Sequence, residues 1–324
     1  MKKLAWIICP NGGGHKYRSE RTFNLLKNFL KSKNFELYFW GPGPKTQFFK
    51  NEKFHEILKS DNYSWPKYSI KDFKPENFDL IISDNIIENK LGYFLKENES
   101  VPFIFLSSFM WEMIDSDYDK NQILWIFDRL NCHFIFNKYF FNEKIIGKPR
   151  NFTDHGLTCD NKILQNKFKE GIFKIYITLG LSEIINQEII ERIRFVINNL
   201  NKNIKVYSDS NLYKYIKNVE PLDHNKGISI ANLIICRPGL GTLNQALCSG
   251  IEYFITCPEP ENKEMISNEN SLIKIVNVKN IYDQNINEFI DSVSKKQKKS
   301  QFLEREGFEE IVFSIKNYVN KNFV

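Results

Sequence analysis

Residues 4–15 read LAWIICPNGGGH, an apolar run that leads through three glycines to His15. A short apolar run bounded by turn residues predicts a buried strand over 4–9. Apolar residues at helical spacing then predict a helix over about 18–31. A buried strand that passes through glycines into a helix is typical of an open α/β sheet, whose ligands bind at the carboxyl ends of the strands.

The first half of the chain repeats this alternation. Further apolar runs separated by helical patterns predict strands over 35–40, 79–84, 102–108 and 133–136. These runs are apolar throughout instead of alternating with polar residues. Such runs indicate strands covered on both faces, as in a parallel sheet.

A second alternation follows segment 147–169, which has no clear period and is predicted to be a linker. Predicted strands cover 173–180, 204–207, 232–236 and 253–256, and predicted helices cover 186–200, 243–248 and parts of 286–324. We therefore expect an α/β protein of two doubly wound, Rossmann-like domains that face a central cleft. The expected domains span 1–155 and 170–324, with the last helix packing back on the first.

Composition and charge exclude several classes of protein. The chain of 324 residues is 42% hydrophobic, which excludes a largely disordered protein. Its 45 basic and 39 acidic residues leave a net charge of +6, too small to indicate a nucleic-acid binder. The first apolar run is too short for a signal peptide, and no segment has the length and apolar character that predict a membrane span.

The cysteines predict the redox compartment. Six cysteines occur without a CxxC pair, namely Cys9, Cys132, Cys159, Cys236, Cys248 and Cys257. Several lie in apolar runs, which is typical of small core residues. We therefore expect all of them to be reduced thiols in a cytosolic protein.

The loop after the first strand carries the first chemical signal. Gly13 and Gly14 let the backbone approach a ligand closely, and the start of the following helix favours negative charge. His15 is a candidate general base, because an imidazole can take up a proton near neutral pH. The alternative is a tight turn with an incidental histidine.

His15 stands apart from the other four histidines. His55 and His133 lie in periodic patterns, while His155 and His224 lie in loops that open no strand–helix unit. We therefore expect His15 alone to serve as the base.

Asp84 ends the predicted strand 79–84 and is the second signal. The carboxyl ends of parallel strands share one edge of a sheet, so Asp84 can lie near the His15 loop. There it would hold the imidazole in one tautomer, as in an Asp–His dyad. The alternative, equally open at this point, is an N-cap for the next helix.

Two segments of the second half carry further signals. Residues 237–246 read RPGLGTLNQA, a strand–glycine–helix junction whose exposed amides suit a pyrophosphate, and Thr242 can donate to a phosphate oxygen. The alternative is an ordinary tight turn with Thr242 as a cap. Segment 258–272 is rich in polar groups that can reach sugar hydroxyls, although a solvated loop is the simpler interpretation.

Five segments, in this order, resemble GT-B glycosyltransferases with a Gly-His-x-x-Arg-Ser start. They are GHKYRS at 14–19, FDLIISD at 78–84, PFIFLS at 102–107, RPGLGTLNQALCSG at 237–250 and EMISNENSL at 264–272. Relatives in this group include the peptidoglycan N-acetylglucosaminyltransferase and the UDP-sugar hydrolase of pseudaminic acid synthesis. Each motif is loose, but the resemblance extends over both halves of the chain.

The resemblance implies an acceptor bound by the N-terminal domain and a nucleotide sugar bound by the C-terminal domain. His15 would deprotonate the acceptor, with inversion at the anomeric carbon and with Asp84 as its partner. The loop near 219–222 would lie toward the nucleotide base together with Arg237. The residues expected to contact the nucleotide sugar are Gly13, Gly14, Arg18, Gly180, Arg237, Gly239, Gly241, Thr242, Gln245, Glu264 and Asn268.

The resemblance also implies an inverting, metal-independent transfer of a sugar, expected to be UDP-linked, to a glycan or lipid-linked acceptor. No cofactor is expected besides the donor, and the chain has no DxD at a strand end. Two positions depart from the pattern. Gln245 replaces a glutamate that grips the ribose, and Met265 replaces a glutamine that contacts the sugar, so the donor sugar is not specified.

Two rival functions remain open. A UDP-sugar hydrolase would use the same histidine to activate water, and a catalytically silent partner subunit would bind the sugar nucleotide without turnover. The basic run KKQKK at 295–299 can contact an anionic membrane or form a solvated helix face. We expect a cytoplasmic protein, with peripheral contact at the inner membrane face as an additional possibility.

Overall fold

The computed structural model describes residues 1–10, 13–58, 68–106, 125–141, 148–159, 172–180, 186–201, 203–259, 262–295 and 303–323. The chain divides into two compact units. Unit 1 comprises Met1–Gly156 and Glu306–Val324, and unit 2 comprises Leu157–Arg305.

Each unit contains one parallel sheet. Among the described residues, unit 1 has seven strands in the order β3-β2-β1-β4-β5-β6-β7, and unit 2 has six in the order β10-β9-β8-β11-β12-β13. The strands of unit 1 are β1 Lys2–Ile8, β2 Phe35–Pro42, β3 Lys53–Ile57, β4 Leu80–Asp84, β5 Phe103–Leu106, β6 Cys132–Asn137 and β7 Phe152–His155. Those of unit 2 are β8 Phe173–Thr178, β9 Ile204–Ser208, β10 Glu220–Pro221, β11 Leu233–Cys236, β12 Tyr253–Thr256 and β13 Asn277–Asn280.

Helices connect the strands. Their bounds are α1 Gly13–Ser32, α2 Asn89–Glu97, α3 Gln187–Asn198, α4 Ser210–Tyr213, α5 His224–Ile230, α6 Leu240–Cys248, α7 Lys263–Ile273, α8 Ile286–Ser294 and α9 Gly307–Asn322. Short 3-10 turns occur at Gln47–Phe49, Pro75–Asn77 and Trp125–Asp128. The two parallel sheets with connecting helices confirm the expected pair of doubly wound α/β units.

The core of unit 1 lies between the sheet and the apolar faces of its helices. Trp6 of β1 is fully buried and stacks on Phe39 of β2 with ring centroids 5.8 Å apart. Phe23 of α1 meets Trp6 edge-on at 6.3 Å. Because α1 presents its apolar residues at helical spacing, it covers the sheet along its length and points its first turn at the carboxyl ends of the strands.

Helix α9, at the end of the chain, packs on unit 1. Ile311, Ile315 and Val319 belong to the same buried cluster as Leu4 of β1. The Tyr318 hydroxyl accepts from the Phe103 amide at 3.2 Å and donates to the Asn131 carbonyl at 2.5 Å. These bonds fix α9 against the strands β5 and β6.

The strand predictions were correct for the inner strands and incomplete at the sheet edges. β3, β7, β10 and β13 had no predicted counterpart, and each is the outermost strand on its side of a sheet. β7 lies inside the segment predicted to be a linker. The pattern over 286–324 corresponds to two helices, α8 and α9, with residues 296–302 between them outside the described part of the chain.

One cysteine pair contradicts the expectation of reduced thiols. Cys159 and Cys248 form a disulfide within unit 2, and both are buried. Backbone and side-chain bonds bring them together, because the Asn244 side chain accepts from the Thr158 amide at 3.0 Å and donates to the Thr158 carbonyl at 2.9 Å. The inference from reduced cysteines to a cytosolic location therefore loses its basis.

The other cysteines are buried thiols at Cys9, Cys132, Cys236 and Cys257. Burial raises the pKa of Cys236 to about 12, so this thiol stays protonated and unreactive at neutral pH. Within the described residues, no helix is both long and apolar enough to cross a membrane.

The disulfide joins cysteines 89 residues apart, so its loss should destabilise unit 2. Closing a long loop removes freedom from the unfolded chain, and we expect Cys159→Ser to lower the free energy of unfolding by about 2–4 kcal/mol. Urea denaturation measures this change. A dithiol reductant should have a similar effect on the wild type and none on the Cys159→Ser/Cys248→Ser double variant. Equal stability of oxidised and reduced wild type would contradict the assignment.

Candidate functional site

The topology of unit 1 opens a crevice between β1 and β4. The chain runs from β1 outward to β2 and β3, then returns to place β4 on the opposite side of β1. The loops that follow β1 and β4 therefore diverge, and such a switch point is where open α/β sheets bind their ligands. His15 follows β1 and Asp84 ends β4, so both lie at this point.

Asp84 is fully buried and receives three side chains. His15 Nδ1 lies 2.9 Å from Asp84 Oδ1. Arg18 donates from Nε to Oδ2 at 3.1 Å and from Nη2 to Oδ1. The Ser19 hydroxyl donates to Oδ2 at 2.9 Å. Both carboxylate oxygens are thus held by donors.

The early start of α1 creates this arrangement. The helix begins at Gly13 instead of near residue 18, so His15 is helical. His15, Arg18 and Ser19 then stand at positions i, i+3 and i+4 and share one face of the helix. That face meets β4, because β1 and β4 pair in register with Ile8 opposite Asp84.

The charge on Asp84 is stabilised by its partners. Burial alone raises the pKa of this carboxyl, but the Arg18 charge and the hydrogen bond from His15 outweigh it and lower the pKa to about 2. An ionised carboxylate can only accept, so His15 Nδ1 carries the proton of this bond. Arg18 Nη2, 3.3 Å from Nδ1, is a second donor to the same carboxylate.

This tautomer leaves His15 Nε2 as the ring nitrogen that can take up a proton. Eighteen per cent of the His15 side chain is exposed, so the ring is accessible while Asp84 is not. Asp84 would orient the ring and stabilise the imidazolium. The geometry is that of a general base, and the role itself stays a prediction.

Asp84 does not cap the next helix, which was the alternative prediction for this residue. Helix α2 begins at Asn89 and is capped by Glu88, whose Oε2 accepts from the Leu91 amide at 2.9 Å. The Asp84 side chain bonds to α1 residues instead. Glu88 is fully buried, and burial raises the pKa of its carboxyl above the ordinary value.

Sequence reasoning missed His155 at the same edge of the sheet. It ends β7, is 3% exposed, and donates from Nδ1 to the Gly156 carbonyl at 2.7 Å. Burial and then the Arg18 charge lower the pKa of His155 to about 3, so the ring is neutral at physiological pH. It lies within electrostatic reach of Asp84. The short edge strand in an aperiodic segment gave no signal for it.

Unit 2 has its own switch point, between β8 and β11. Gly180 follows β8 with a φ of +77°, a conformation that favours glycine. Gly239 follows β11 as the N-cap of α6, with no side chain capping the helix. Among the described residues, no atom beyond the adjacent residues lies within 4 Å of a Cβ built at either glycine. Gly241 and Thr242 lie in the first turn of α6, whose amides suit an anion.

Arg18, also expected to contact the nucleotide sugar, is held by Asp84 in unit 1. Three further residues expected at the nucleotide are engaged within unit 2. Arg237 pairs through Nη2 with Glu259 Oε1. Gln245 donates from Nε2 to Asn225 Oδ1 at 2.5 Å. Asn268 is fully buried and donates to the Pro238 carbonyl at 2.9 Å, so it supports the loop before α6.

Some of the residues predicted to form the site are only partly described by the structure. Gly14 lies exposed in the first turn of α1, whereas the burial of Gly13, the Glu264 side chain and residues 296–299 lie outside the described part. Most of segment 258–272 is helix α7, capped by Asn262, rather than loop. In the described ranges, no group of three or more His, Cys, Asp or Glu side chains is arranged to hold a metal ion.

Comparisons with known proteins report on the fold. No family model matches the sequence, and no curated protein does. The structure resembles MurG of Acinetobacter baumannii with a TM-score of 0.62 and 14% identity, over 98% of this chain and 100% of that one. It resembles UGT89C1 of Arabidopsis thaliana complexed with UDP-L-rhamnose with a TM-score of 0.60 and 9% identity, over 99% and 94%.

A putative UDP-N-acetylglucosamine 2-epimerase of Listeria monocytogenes is also similar, with a TM-score of 0.56 and 12% identity, over 99% of this chain and 98% of that one. Identities this low establish the fold alone. The chain has the fold of the GT-B glycosyltransferases, with two parallel-sheet α/β units, as the sequence led us to expect.

The Asp84–Arg18 pair predicts that the free energy of unfolding depends on pH in the acid range. Asp84 has a pKa lowered from 3.8 to about 2, so its stabilisation is present above about pH 4 and is lost as the pH falls toward 2. Arg18→Gln removes the compensating charge. We expect this variant to lower the free energy of unfolding by about 3–5 kcal/mol at neutral pH. As the pH falls, Asp84 should be protonated at a higher pH than in the wild type.

Urea denaturation across the acid range measures both effects. Arg21→Gln is the matched control, because Arg21 lies on the same helix but donates to the Tyr17 hydroxyl. This variant should keep the stability and the acid profile of the wild type. An Arg18→Gln protein with the wild-type stability and acid profile would show that Arg18 does not hold the Asp84 charge.

Proposed function

We propose that this protein is an inverting glycosyltransferase that moves a sugar from a nucleotide-sugar donor to a hydroxyl acceptor. The observation that carries the proposal is the contact of 2.9 Å between His15 Nδ1 and the buried Asp84 at the switch point of unit 1. Similarity in fold to solved glycosyltransferases supports it. The fold also occurs in a putative epimerase, so the chemistry has to be argued from the site.

The proposed reaction is a single displacement. His15 Nε2 takes the proton of the acceptor hydroxyl as its oxygen attacks the anomeric carbon of the donor. The bond from that carbon to the phosphate oxygen breaks, and its electrons leave with the nucleoside diphosphate. The proton stays on His15, where ionised Asp84 stabilises the imidazolium. Attack opposite the leaving group inverts the anomeric configuration.

The donor is proposed to bind unit 2 at the start of α6. Backbone amides after Gly239 would meet the diphosphate, with Thr242 donating to one of its oxygens and Gly180 allowing close approach. Such donors can stabilise a departing diphosphate without a metal ion, and we propose a metal-independent reaction. A UDP-linked donor is favoured because two of the structural relatives are named for UDP sugars.

The acceptor is proposed to be a glycan or a lipid-linked sugar. The basic run at 295–299 motivates contact with an anionic membrane surface. A hydroxyl acceptor of this kind fits the proposed chemistry, since His15 would activate it at the partly exposed edge of unit 1.

His15→Ala is expected to lower turnover by about 10²–10⁴-fold, because the general base is lost. Nucleotide affinity should stay at the wild-type level, since the donor is proposed to bind unit 2. Asp84→Asn should cost less than His15→Ala. Release of nucleoside diphosphate from a panel of UDP-, GDP-, CMP- and dTDP-sugars, in EDTA and with candidate acceptors, gives the rates.

His55→Ala is the matched control, as His55 is an exposed histidine of β3 in the same unit. Wild-type turnover in His15→Ala would overturn the proposed base. Free sugar released without any acceptor would identify a hydrolase that uses the same base on water. Nucleotide binding without turnover under every acceptor would identify a silent binding subunit.

Thr242→Val should weaken nucleoside diphosphate binding by roughly 1–3 kcal/mol, because a donor to a phosphate oxygen is lost. Thr242→Ser keeps the hydroxyl and should restore most of the affinity. Isothermal titration with UDP measures both variants. The donor assignment fails if a ligand-bound structure places the nucleotide only at residues 12–14 of unit 1.

A further inference from the structure

A cluster of four polar side chains lies at the carboxyl edge of the unit 2 sheet, next to its switch point. Tyr176 and Thr178 come from β8, Asp209 directly follows β9, and His224 is the first residue of α5. The sequence gave no reason to connect these residues, and His224 was set aside as a loop residue. The structure shows that it begins a helix beside β8.

The contacts converge on Asp209 and His224. Asp209 Oδ1 accepts from the Tyr176 hydroxyl and lies 3.5 Å from His224 Nδ1. Thr178 Oγ1 lies 3.3 Å from the same nitrogen. The Tyr176 and His224 rings meet edge-on with centroids 6.2 Å apart. His224 Nδ1 therefore has two oxygen partners, and Nε2 is the ring nitrogen left to meet a ligand.

Burial falls steadily across the cluster. Tyr176 and Thr178 are fully buried, while 17% of the Asp209 side chain and 36% of the His224 side chain are exposed. Helix α5 approaches closely because Gly227 has no side chain, and a Cβ there would lie 2.2 Å from the Tyr176 ring. The interior of the cluster is thus fixed by packing, and its outer member is accessible.

The charges of the cluster are set by the same contacts. Burial raises the pKa of Asp209, but bonds from His224, Thr178 and Tyr176 outweigh it and hold that pKa below the ordinary value. Burial and Asp209 raise the pKa of Tyr176, so its hydroxyl remains a donor. Asp209 is therefore an ionised acceptor for its neighbours.

Helix α5 and its cap contain two other charged residues. Asp223 precedes His224 and caps α5 by accepting from the Asn225 and Lys226 amides at 3.0 and 3.3 Å. Lys226 is the basic residue on the same helix. Helix α6 meets α5 through the uncharged pair of Gln245 and Asn225.

A positive charge would strengthen the proposed donor site, and Arg237 does not offer one freely. Arg237 is paired with Glu259, so its charge is largely compensated within unit 2. His224 lies beside the α5–α6 contact made by Asn225 and Gln245, at the edge where α6 begins. A protonated imidazole there complements a phosphate group.

We infer that His224, oriented by Asp209, is a phosphate ligand of the nucleotide site and binds the nucleotide most tightly as an imidazolium. This inference rests on the proposed function, because it takes a nucleotide site in unit 2 as given. It assigns to this chain a second histidine–carboxylate pair, which binds the donor rather than moving the acceptor proton.

The test compares UDP affinity of the wild type and His224→Asn by isothermal titration from about pH 6 to about pH 8, the range in which imidazole changes charge. The ratio of the two affinities at each pH cancels the titration of UDP itself. We expect that ratio to rise on the order of tenfold toward acid pH, since a charge-assisted bond is about twice as strong as a neutral one.

Asp209→Asn is the second variant, and it keeps the shape of the cluster. It should lower UDP affinity and change its dependence on pH, because His224 loses the carboxylate that orients the ring. A purely structural role would change thermal stability without moving this pH profile. His224→Gln replaces His224→Asn if the latter does not fold, and His55→Asn in unit 1 is the control that should match the wild type.

The outcomes separate this inference from the proposed function. UDP binding with parallel pH profiles for wild type, His224→Asn and Asp209→Asn overturns the role of His224 and leaves the donor site standing. No binding of UDP to the wild type at any pH overturns both. A ratio of wild-type to His224→Asn affinity that rises toward acid pH supports the inference.

Discussion

The negative charge of Asp84 is the constraint on which the unit 1 site depends. A carboxylate at the end of a central strand, without exposure to solvent, has to be compensated by nearby donors. Helix α1 provides them one turn apart as His15, Arg18 and Ser19. The same contacts that stabilise the buried charge therefore fix the tautomer of His15 and the direction of its free nitrogen.

Much of this was accessible from the sequence, for a physical reason. Inner strands of a parallel sheet are covered on both faces, so β1, β4 and β5 appear as unbroken apolar runs. Their order along the chain then implies that the loops after β1 and β4 share one edge. His15 and Asp84 could be placed near each other on that basis, although they are far apart in the sequence.

The remainder could not be predicted, because it depends on residues without a periodic signal. The edge strands β3, β7, β10 and β13 have solvent on one side and polar sequences, so they resemble loops. His155 was missed with β7. The Cys159–Cys248 disulfide and the Asp209–His224 contact join positions whose approach is set by packing of whole helices, which spacing along the chain does not encode.

The account depends most on the tautomer of His15, and nitrogen-15 NMR of the histidine side chains reads it directly. Above neutral pH the account predicts a protonated Nδ1, held by Asp84, and an unprotonated Nε2 able to accept a proton. Asp84→Asn should lose this preference. A wild-type protein with the proton on Nε2 of His15 would contradict the account, because the ring would then have no lone pair facing the acceptor.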